Sequence, residues 1–228
     1  ANVSLTIIVT TLNREFNEKR LHRYLTAAEE SGSRVAVLFT KSDLIPESFA
    51  CAEELSGKYR IPCLALSAVN GEGMEALREL WGKGETAVFV GSSGVGKSTL
   101  INALLGREEQ VTGRIRDEDD RGRHTTTYRR LLLLPNGAMV IDTPGLREIQ
   151  LESGQVKSVA LAFPAIEELA LQCRFRNCKH DTEPNCAVKS ALQAGSISES
   201  DFESFQKLKK SGDNPPKPKK HFRKIRER

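Results

Sequence analysis

The 228-residue sequence is poor in aromatic residues and in long apolar runs, and each shortage excludes a class of protein. Aromatic side chains make up 6% of the chain, with a single tryptophan. No apolar run approaches the roughly 20 residues of a membrane-spanning helix, and the N-terminus lacks the charged region of a signal peptide. We therefore expect neither membrane insertion nor secretion. Hydrophobic residues at 39% and charged residues at 28%, without low-complexity tracts, exclude wholesale disorder.

Positive charge is concentrated at the C-terminal end of the chain. Residues 207–228 carry ten Lys and Arg against two acidic residues, and because the total is +4, the first 206 residues have a net charge of −4. Three prolines between positions 215 and 218 disfavour regular structure in this segment. The segment is either a solvated tail or a binding element for a polyanion such as nucleic acid.

The pattern of apolar runs predicts an α/β fold. Short β-branched runs alternate with helical patterns of ten to twenty residues, which is typical of a mostly parallel sheet with helices on both faces. The predicted strands are residues 5–10, 34–39, 61–66 and 86–90, and a hairpin of residues 128–134 and 138–141. After Pro144 the pattern is helical, so we expect a domain boundary near residue 150.

The first predicted helix has one clear apolar stripe. Leu21, Tyr24, Leu25 and Ala28 recur at helical spacing and should face the core. His22 and Arg23 are then expected to face water, and His22 is not expected to be a ligand.

Residues 91–98 match the pattern G-x-x-x-x-G-K-[ST] between an apolar strand and an amphipathic helix. Backbone N–H groups of such a loop wrap a phosphate chain at a helix N-terminus, the lysine neutralises its oxygens and the serine hydroxyl binds Mg²⁺. The sequence therefore predicts a nucleotide triphosphate site with Mg²⁺, in which Lys97 also acts in catalysis. The predicted phosphate-binding residues are Gly91, Ser92, Ser93, Gly94, Val95, Gly96, Lys97, Ser98 and Thr99.

A second phosphate-sensing segment follows the predicted hairpin. Residues 142–145 read D-T-P-G at the end of a strand. In this D-x-x-G pattern Asp142 is expected to hold the Mg²⁺ shell and the Gly145 amide to meet the γ-phosphate.

Two segments upstream of this P-loop predict the base. Thr40-Lys41-Ser42-Asp43 and Ser67-Ala68-Val69 follow strands and resemble the N-K-x-D and S-A-x elements of GTPases. The Asp43 carboxylate can accept from the N1–H and amino group of guanine, and the Ala68 amide can donate to O6. T-K-S-D alone is equally explained by a turn at a strand end, but three elements at the carboxyl ends of strands favour a site. The predicted base-binding residues are Thr40, Lys41, Asp43, Ser67 and Ala68.

Three of the five cysteines stand close to a histidine. The spacing Cys173-x₄-Cys178-x-His180-x₅-Cys186 supplies four ligands with no open position, which predicts one structural Zn²⁺. The alternative is a set of buried free thiols. The odd cysteine count also favours the reducing cytoplasm.

The guanine-type segments precede the P-loop, which is the order of a circular permutation. The chain resembles the RsgA family of circularly permuted GTPases, which are bacterial factors in assembly of the small ribosomal subunit. The resemblance also rests on the segments G-R-H-T-T-T at 122–127 and D-T-P-G-L-R-E at 142–148, and on the cysteine spacing. The resemblance implies a GTPase domain at 1–150 and a helical zinc-binding domain at 151–228, with a basic tail from about 207. It also implies a cytoplasmic monomer that binds GTP, GDP, the small subunit and its rRNA, without a membrane. The family usually has Asn at the position of Thr40 and an N-terminal OB-fold, which these 228 residues do not include.

The segment at 112–127 is expected to be switch I, because it is charged and poor in large apolar residues. Thr126, or a neighbouring threonine, is the expected Mg²⁺ ligand. By the resemblance His124 acts in GTP hydrolysis; the alternative is an exposed loop histidine. Leu146 stands where many GTPases place a water-orienting glutamine, so slow intrinsic turnover is expected, with another group or a partner completing the site.

Two other functions fit part of the sequence. An rRNA-binding assembly protein with a weak or vestigial nucleotide site is favoured by Thr40 and Leu146, but opposed by the intact P-loop. A metabolic enzyme that uses ATP is disfavoured by Asp43 and Ala68, which suit guanine.

Overall fold

The computed structural model describes residues 3–13, 16–107, 130–142 and 159–213. One six-stranded sheet organises the first three of these ranges, and helices make up most of the last. The elements in chain order are β1 (Leu5–Thr10), α1 (Glu18–Glu30), β2 (Arg34–Phe39), a 3₁₀ turn (Ser42–Leu44), α2 (Ser48–Tyr59), β3 (Cys63–Ala65), α3 (Met74–Arg78), β4 (Thr86–Val90), α4 (Lys97–Leu105), β5 (Arg130–Leu133), β6 (Met139–Asp142), α5 (Pro164–Ala170), α6 (Ala187–Gln193) and α7 (Glu199–Asp213).

The sheet has the order β3-β2-β1-β4-β6-β5, with β5 antiparallel to β6 and the other neighbours parallel. This confirms the predicted mostly parallel sheet and the predicted hairpin. The hairpin closes through hydrogen bonds from the Leu134 amide to the Ala138 carbonyl and from the Gly137 amide to the Leu134 carbonyl. Strand β3 is shorter than predicted, and begins after Pro62, which has no amide hydrogen for the ladder.

Helices cover both faces of the sheet, as expected from strands that are apolar on both sides. Along β1 the side chain of Ile8 enters one core, whereas Ile7 and Val9 enter the other. The Ile8 core lies under α1, α2 and the C-terminal helices, and the second core lies under α3 and α4. Trp81 is buried in the second core, edge-on to Phe89.

Helix α1 buries the predicted stripe, but the prediction that His22 faces water is wrong. The His22 side chain is only 1% exposed, whereas Arg23 is exposed as expected. A second layer covers this side of α1: the Phe163 ring lies 4.5 Å from the His22 ring, and the Tyr59 hydroxyl is 2.9 Å from His22 Nε2. Burial lowers the pKa of His22, although the Glu18 carboxylate opposes this effect.

The C-terminal helices pack on that same layer. Phe205 of α7 lies edge-on to Phe163, with ring centroids 5.7 Å apart. The first residues of the basic segment belong to α7, where Leu208 is buried and Lys209 pairs with Glu167 at 3.1 Å. Within the described ranges, no helix combines the length and apolarity needed to span a bilayer.

Candidate functional site

The carboxyl ends of the parallel strands bring the predicted nucleotide-binding segments to one edge of the sheet. The P-loop follows β4, the T-K-S-D segment follows β2, and the Ser67-Ala68 segment follows β3. Asp142 ends β6, which pairs directly with β4. Because ligands of α/β sheets bind outside the carboxyl ends of strands, this edge is the candidate site.

The P-loop begins at a glycine that no other residue can replace without strain. Gly91 has a φ of 152°, and a Cβ there would lie 2.1 Å from the Val9 carbonyl oxygen of the neighbouring strand. The loop therefore runs directly across the end of β1. It then enters α4 at Lys97, so that the N-terminal amides of α4 point into the loop, which is the arrangement that binds phosphate.

Lys97 lies inside the loop with its charge largely shielded from solvent. Its Nζ donates to the carbonyls of Gly91 at 2.7 Å and Ser92 at 2.6 Å, and the side chain is 8% exposed. Burial lowers the pKa of Lys97, and the nearby Asp142 carboxylate counteracts this effect. Asp142 is buried as well, and it lies close enough to Lys97 for the two charges to interact.

Thr40 joins the predicted base-reading segment to the P-loop. Its buried hydroxyl donates to the Val95 carbonyl at 2.5 Å, and the Thr10 carbonyl lies 3.2 Å from the same hydroxyl oxygen. The next residue, Lys41, has left-handed backbone geometry, and its Nζ donates to the Gly94 carbonyl at 3.1 Å. These two side chains fix the segment against the loop that is predicted to hold the phosphates.

The two predicted base-reading segments are also joined to one another. The Ser42 amide donates to the Leu66 carbonyl at 3.2 Å, across the ends of β2 and β3. Ser67 shapes the second segment, because its hydroxyl accepts from the Val69 amide at 3.2 Å. Asp43 is exposed and Ala68 is half-buried at this rim, where both remain accessible to a ligand.

Several predicted site residues lie outside the described residues. These are His124, Thr126 and Gly145, together with Leu146. Their roles stay predictions. In the described ranges, sequence reasoning missed Arg20, whose Nη1 donates to the Ser92 hydroxyl at 3.4 Å. The contact joins residues 72 positions apart, and depends on β1 being the neighbour of β4, which no local pattern reveals.

The four predicted metal ligands come together with spacings that suit zinc. Cys173 Sγ lies 3.6 Å from His180 Nδ1 and 3.9 Å from Cys186 Sγ, and His180 Nδ1 lies 3.4 Å from Cys186 Sγ. All four ligand atoms, including that of Cys178, lie within 4.8 Å of one another. A tetrahedral zinc with bonds of about 2.3 Å to sulfur and about 2.0 Å to nitrogen separates its ligand atoms by about 3.5 to 3.8 Å. We call these four residues the zinc-ligand cluster.

Backbone contacts hold the loop of the cluster in place. The Glu183 carboxylate accepts from the amides of Lys179 at 2.8 Å and Asp181 at 2.9 Å, on both sides of His180. These backbone hydrogen bonds lower the pKa of Glu183 to about 2. Cys186 caps helix α6, and its Sγ accepts from the Lys189 amide. The cluster is thus tied to a helix N-terminus on one side and a hydrogen-bonded turn on the other.

The sheet order and the P-loop, with the predicted base-reading segments upstream of it, are those of a circularly permuted P-loop GTPase fold. A solved structure titled YloQ, a circularly permuted GTPase, matches the fold with a TM-score of 0.67 at 23% identity, covering 95% of this chain and 70% of that one. The chain belongs to the RsgA GTPase family, whose model matches residues 1–152.

Relatives in this family cover nearly the whole chain. It is 46% identical over 213 residues to a protein of Vibrio parahaemolyticus named small ribosomal subunit biogenesis GTPase RsgA 2. The match covers 91% of this chain and 58% of that relative, so the chain spans little more than half of the relative's length. The crystal structure of YjeQ from Thermotoga maritima is 30% identical with a TM-score of 0.71, and the match covers 94% of this chain and 73% of that one.

Proposed function

We propose that this chain binds and hydrolyses GTP and acts in maturation of the small ribosomal subunit. The observation that carries the proposal is the convergence of an intact P-loop, Asp142 and two guanine-type segments at one sheet edge, in a chain of the RsgA GTPase family. The names of the relatives supply the ribosomal part of the proposal.

The phosphates and their metal are assigned to the P-loop edge. Lys97 neutralises the β- and γ-oxygens, and the residues from Gly91 to Thr99 supply backbone amides. Ser98 and Asp142, with Thr126 of switch I, are the oxygen donors for Mg²⁺, and hydroxyl and carboxylate oxygens are the donors that this cation prefers. The bound Mg²⁺ supplies charge neutralisation on the β- and γ-phosphates. Gly145 is assigned to the γ-phosphate through its amide.

The base is assigned to the second half of the same edge. Asp43 accepts from guanine N1–H and the amino group, and the Ala68 amide donates to O6. Lys41 and Ser67 shape the two segments. Thr40 anchors its segment on the Val95 carbonyl, so a base-reading role survives without the carboxamide that the family usually has there.

Hydrolysis requires a group that orients the attacking water. Leu146 cannot hydrogen-bond water, so this task is assigned to His124, acting in the complex with the small ribosomal subunit. A catalytic group brought to the γ-phosphate, from the same chain or from a partner, can contribute about 10³ to 10⁵ in rate. Slow turnover by the free chain is therefore part of the proposal.

The zinc-ligand cluster is assigned one structural Zn²⁺, because four protein ligands leave no open position for chemistry. Beside it, Arg174, Phe175, Arg176 and Lys179 are exposed, with the Arg174 guanidinium 5.6 Å from the Phe175 ring centroid. Exposed cations next to an aromatic ring are groups that bind phosphates and stack on unpaired bases. They support an rRNA contact, to which the basic residues from 207 onward add charge.

The remaining features of the proposal follow from this role. The division into a nucleotide-binding domain at 1–150 and a zinc-binding domain at 151–228 places both sites on one monomer. The chain is assigned to the cytoplasm, because a ribosome assembly factor meets the small ribosomal subunit there, and no membrane is part of the proposal.

The test measures nucleotide preference first and turnover second. Competition binding should favour GTP and GDP over ATP, and GTP turnover should rise at least tenfold with purified small ribosomal subunits. Lys97→Ala should abolish turnover, whereas Lys83→Ala, a matched change at an exposed lysine, should not. The stimulation assay is repeated on a fusion that places a relative's OB-fold before Ala1. Equal rates with and without small subunits in both proteins would exclude the ribosomal role and leave the GTPase.

A second candidate is an rRNA-binding assembly protein with a vestigial nucleotide site. The exposed Arg174–Arg176 segment favours it, because that surface needs no nucleotide. Binding of small-subunit rRNA without measurable affinity for GTP would select this candidate over the first.

A further inference from the structure

The first turn of helix α1 contacts two distant parts of the molecule. On one side the Arg20 guanidinium donates to the Ser92 hydroxyl of the P-loop at 3.4 Å. On the other side the Glu18 carboxylate accepts from the Tyr59 hydroxyl at 2.7 Å and from Lys58 Nζ at 2.8 Å. One residue, Lys19, separates Glu18 from Arg20 on the same helical turn, so both sets of contacts meet on one short helical segment.

Lys58 extends the Glu18 side to the C-terminal helices. Its ammonium lies 2.8 Å from Glu18 and 3.0 Å from Asp201 of α7, and so bridges carboxylates of two different layers. Burial by itself favours neutral Lys58, but hydrogen bonds to Glu18 and Asp201 outweigh it, and the pKa of Lys58 is raised. The bridge therefore stays charged when both carboxylates are ionised.

Apolar contacts reinforce this charged bridge. His22, one turn after Glu18, packs against Phe163, which in turn meets Phe205 of α7. The Phe205 ring lies 5.9 Å from the ring of His180, a member of the zinc-ligand cluster. A continuous chain of contacts thus runs from the P-loop through α1 to α7 and the cluster. Packed side chains and rigid elements of this kind are able to carry coupling between sites.

The start of α1 is itself well fixed. The Asn17 side chain caps the helix by accepting from the Arg20 amide at 3.2 Å. The cap and the Tyr59 and Lys58 contacts hold the turn from three directions. The first turn of α1 is therefore a rigid unit, and the Arg20–Ser92 hydrogen bond links this unit to the P-loop.

The carboxylates of Glu18 and Asp201, with His22, also have the spacing of a cation site. A divalent metal does not suit this position, because the Lys58 ammonium already lies between the two carboxylates. A coupling role fits these contacts better than a second metal centre.

We propose that the first turn of α1 couples nucleotide binding at the P-loop to the position of α7 and the zinc-ligand cluster, with Arg20 as a positioning residue that acts through Ser92. The inference rests on the proposed function, because it requires a nucleotide at the P-loop. Coupling of this kind is reciprocal. If the nucleotide changes the equilibrium constant of the Lys58–Asp201 contact by some factor, loss of that contact changes the nucleotide affinity by the same factor.

A double-mutant cycle on the full chain tests the coupling. Affinities for GDP and a non-hydrolysable GTP analogue are measured for the original chain, Arg20→Ala, Asp201→Ala and the double variant. The two changes should be non-additive for the analogue by about two- to fivefold, the range that partly exposed ion pairs sustain. Arg23→Ala, at another exposed arginine of α1, and Glu203→Ala, whose partner Lys207 lies within α7, are the controls.

Hydrogen exchange provides a second measurement. If Arg20 had only a structural role, its substitution would not change the effect of the nucleotide on amide exchange in α7. Binding of the analogue should slow amide exchange in α7 and around the cluster in the original chain, and this effect should be lost in Arg20→Ala. Ser92→Ala removes the same contact from the P-loop side, and repeats the test if Arg20→Ala does not fold. Additive affinities, or unchanged nucleotide-dependent exchange in both variants, would overturn the coupling. Failure of the original chain to bind GTP would overturn the proposed function and the coupling with it.

Discussion

Removal of the zinc proposed for the zinc-ligand cluster is expected to weaken the six-stranded sheet as well as the C-terminal helices. Cys186 belongs to the same buried core as Ile8 in the sheet. Phe163 connects the two parts directly, because its ring packs on His22 of α1. Binding of a structural zinc contributes on the order of 10 kcal/mol. Since this is comparable to the whole stability of a domain, roughly 5 to 15 kcal/mol, the helices around the cluster should unfold without the metal.

The effect on the sheet is set by the contact that is lost. When the C-terminal helices unfold, α1 loses the cover of Phe163, which is about one large apolar side chain and so roughly 1.5 to 3 kcal/mol. With a urea m value of roughly 2 to 3 kcal/mol per M, the unfolding midpoint of the sheet should fall by about 0.5 to 1.5 M.

Trp81 makes this effect measurable, because it is the one tryptophan of the chain and lies in the core on the other face of the sheet. Its fluorescence reports unfolding of the nucleotide-binding part, while metal analysis reports the cluster. Urea titrations before and after chelation should differ, and Cys186→Ser should reproduce the chelated state while Cys51→Ser should not. An unchanged Trp81 midpoint after complete loss of zinc would refute the argument from the shared core.

Three further predictions follow from single residues. Asp43→Asn should shift preference from guanine to xanthine nucleotides by up to about 10⁴, because the amide donates where the carboxylate accepts; unchanged GTP preference in competition binding would show that this segment does not read the base. Burial lowers the pKa of His22 below 6.5, so at acid pH the unfolded chain binds a proton there more readily than the folded chain does. The free energy of unfolding should therefore fall as the pH drops below 6.5, by at most about 1.4 kcal/mol per pH unit. His22→Phe should remove this component, and equal losses between pH 7.5 and 5.5 in both proteins would contradict it. Gly91→Ala should destabilise the chain by at least about 1 to 3 kcal/mol in urea unfolding because its Cβ meets the Val9 carbonyl, whereas Gly57→Ala, in open space on α2, should not destabilise it.

The sequence by itself determined the features that depend on short spacing. The P-loop is one continuous segment whose glycines and Lys97 act within eight residues, and the zinc-ligand cluster is a spacing pattern within fourteen. The four parallel strands and the hairpin were also predictable, because burial on both faces leaves continuous apolar runs such as that of β2.

Only the tertiary structure decided which of these segments touch. Thr40 bonds the Val95 carbonyl across 55 positions, and Arg20 reaches Ser92 across 72. The burial of His22 has the same origin, since a helix face that is polar in sequence is covered when Phe163 packs on it. The spacing of apolar residues in a helix predicts which side of the helix packs on the sheet. Contacts with a second layer, here the C-terminal helices, depend on the sheet order and on where the later part of the chain packs. That is why the sequence predicts that the predicted nucleotide-binding segments share one sheet edge, but does not predict the contacts that the first turn of α1 makes with Ser92 and with Lys58.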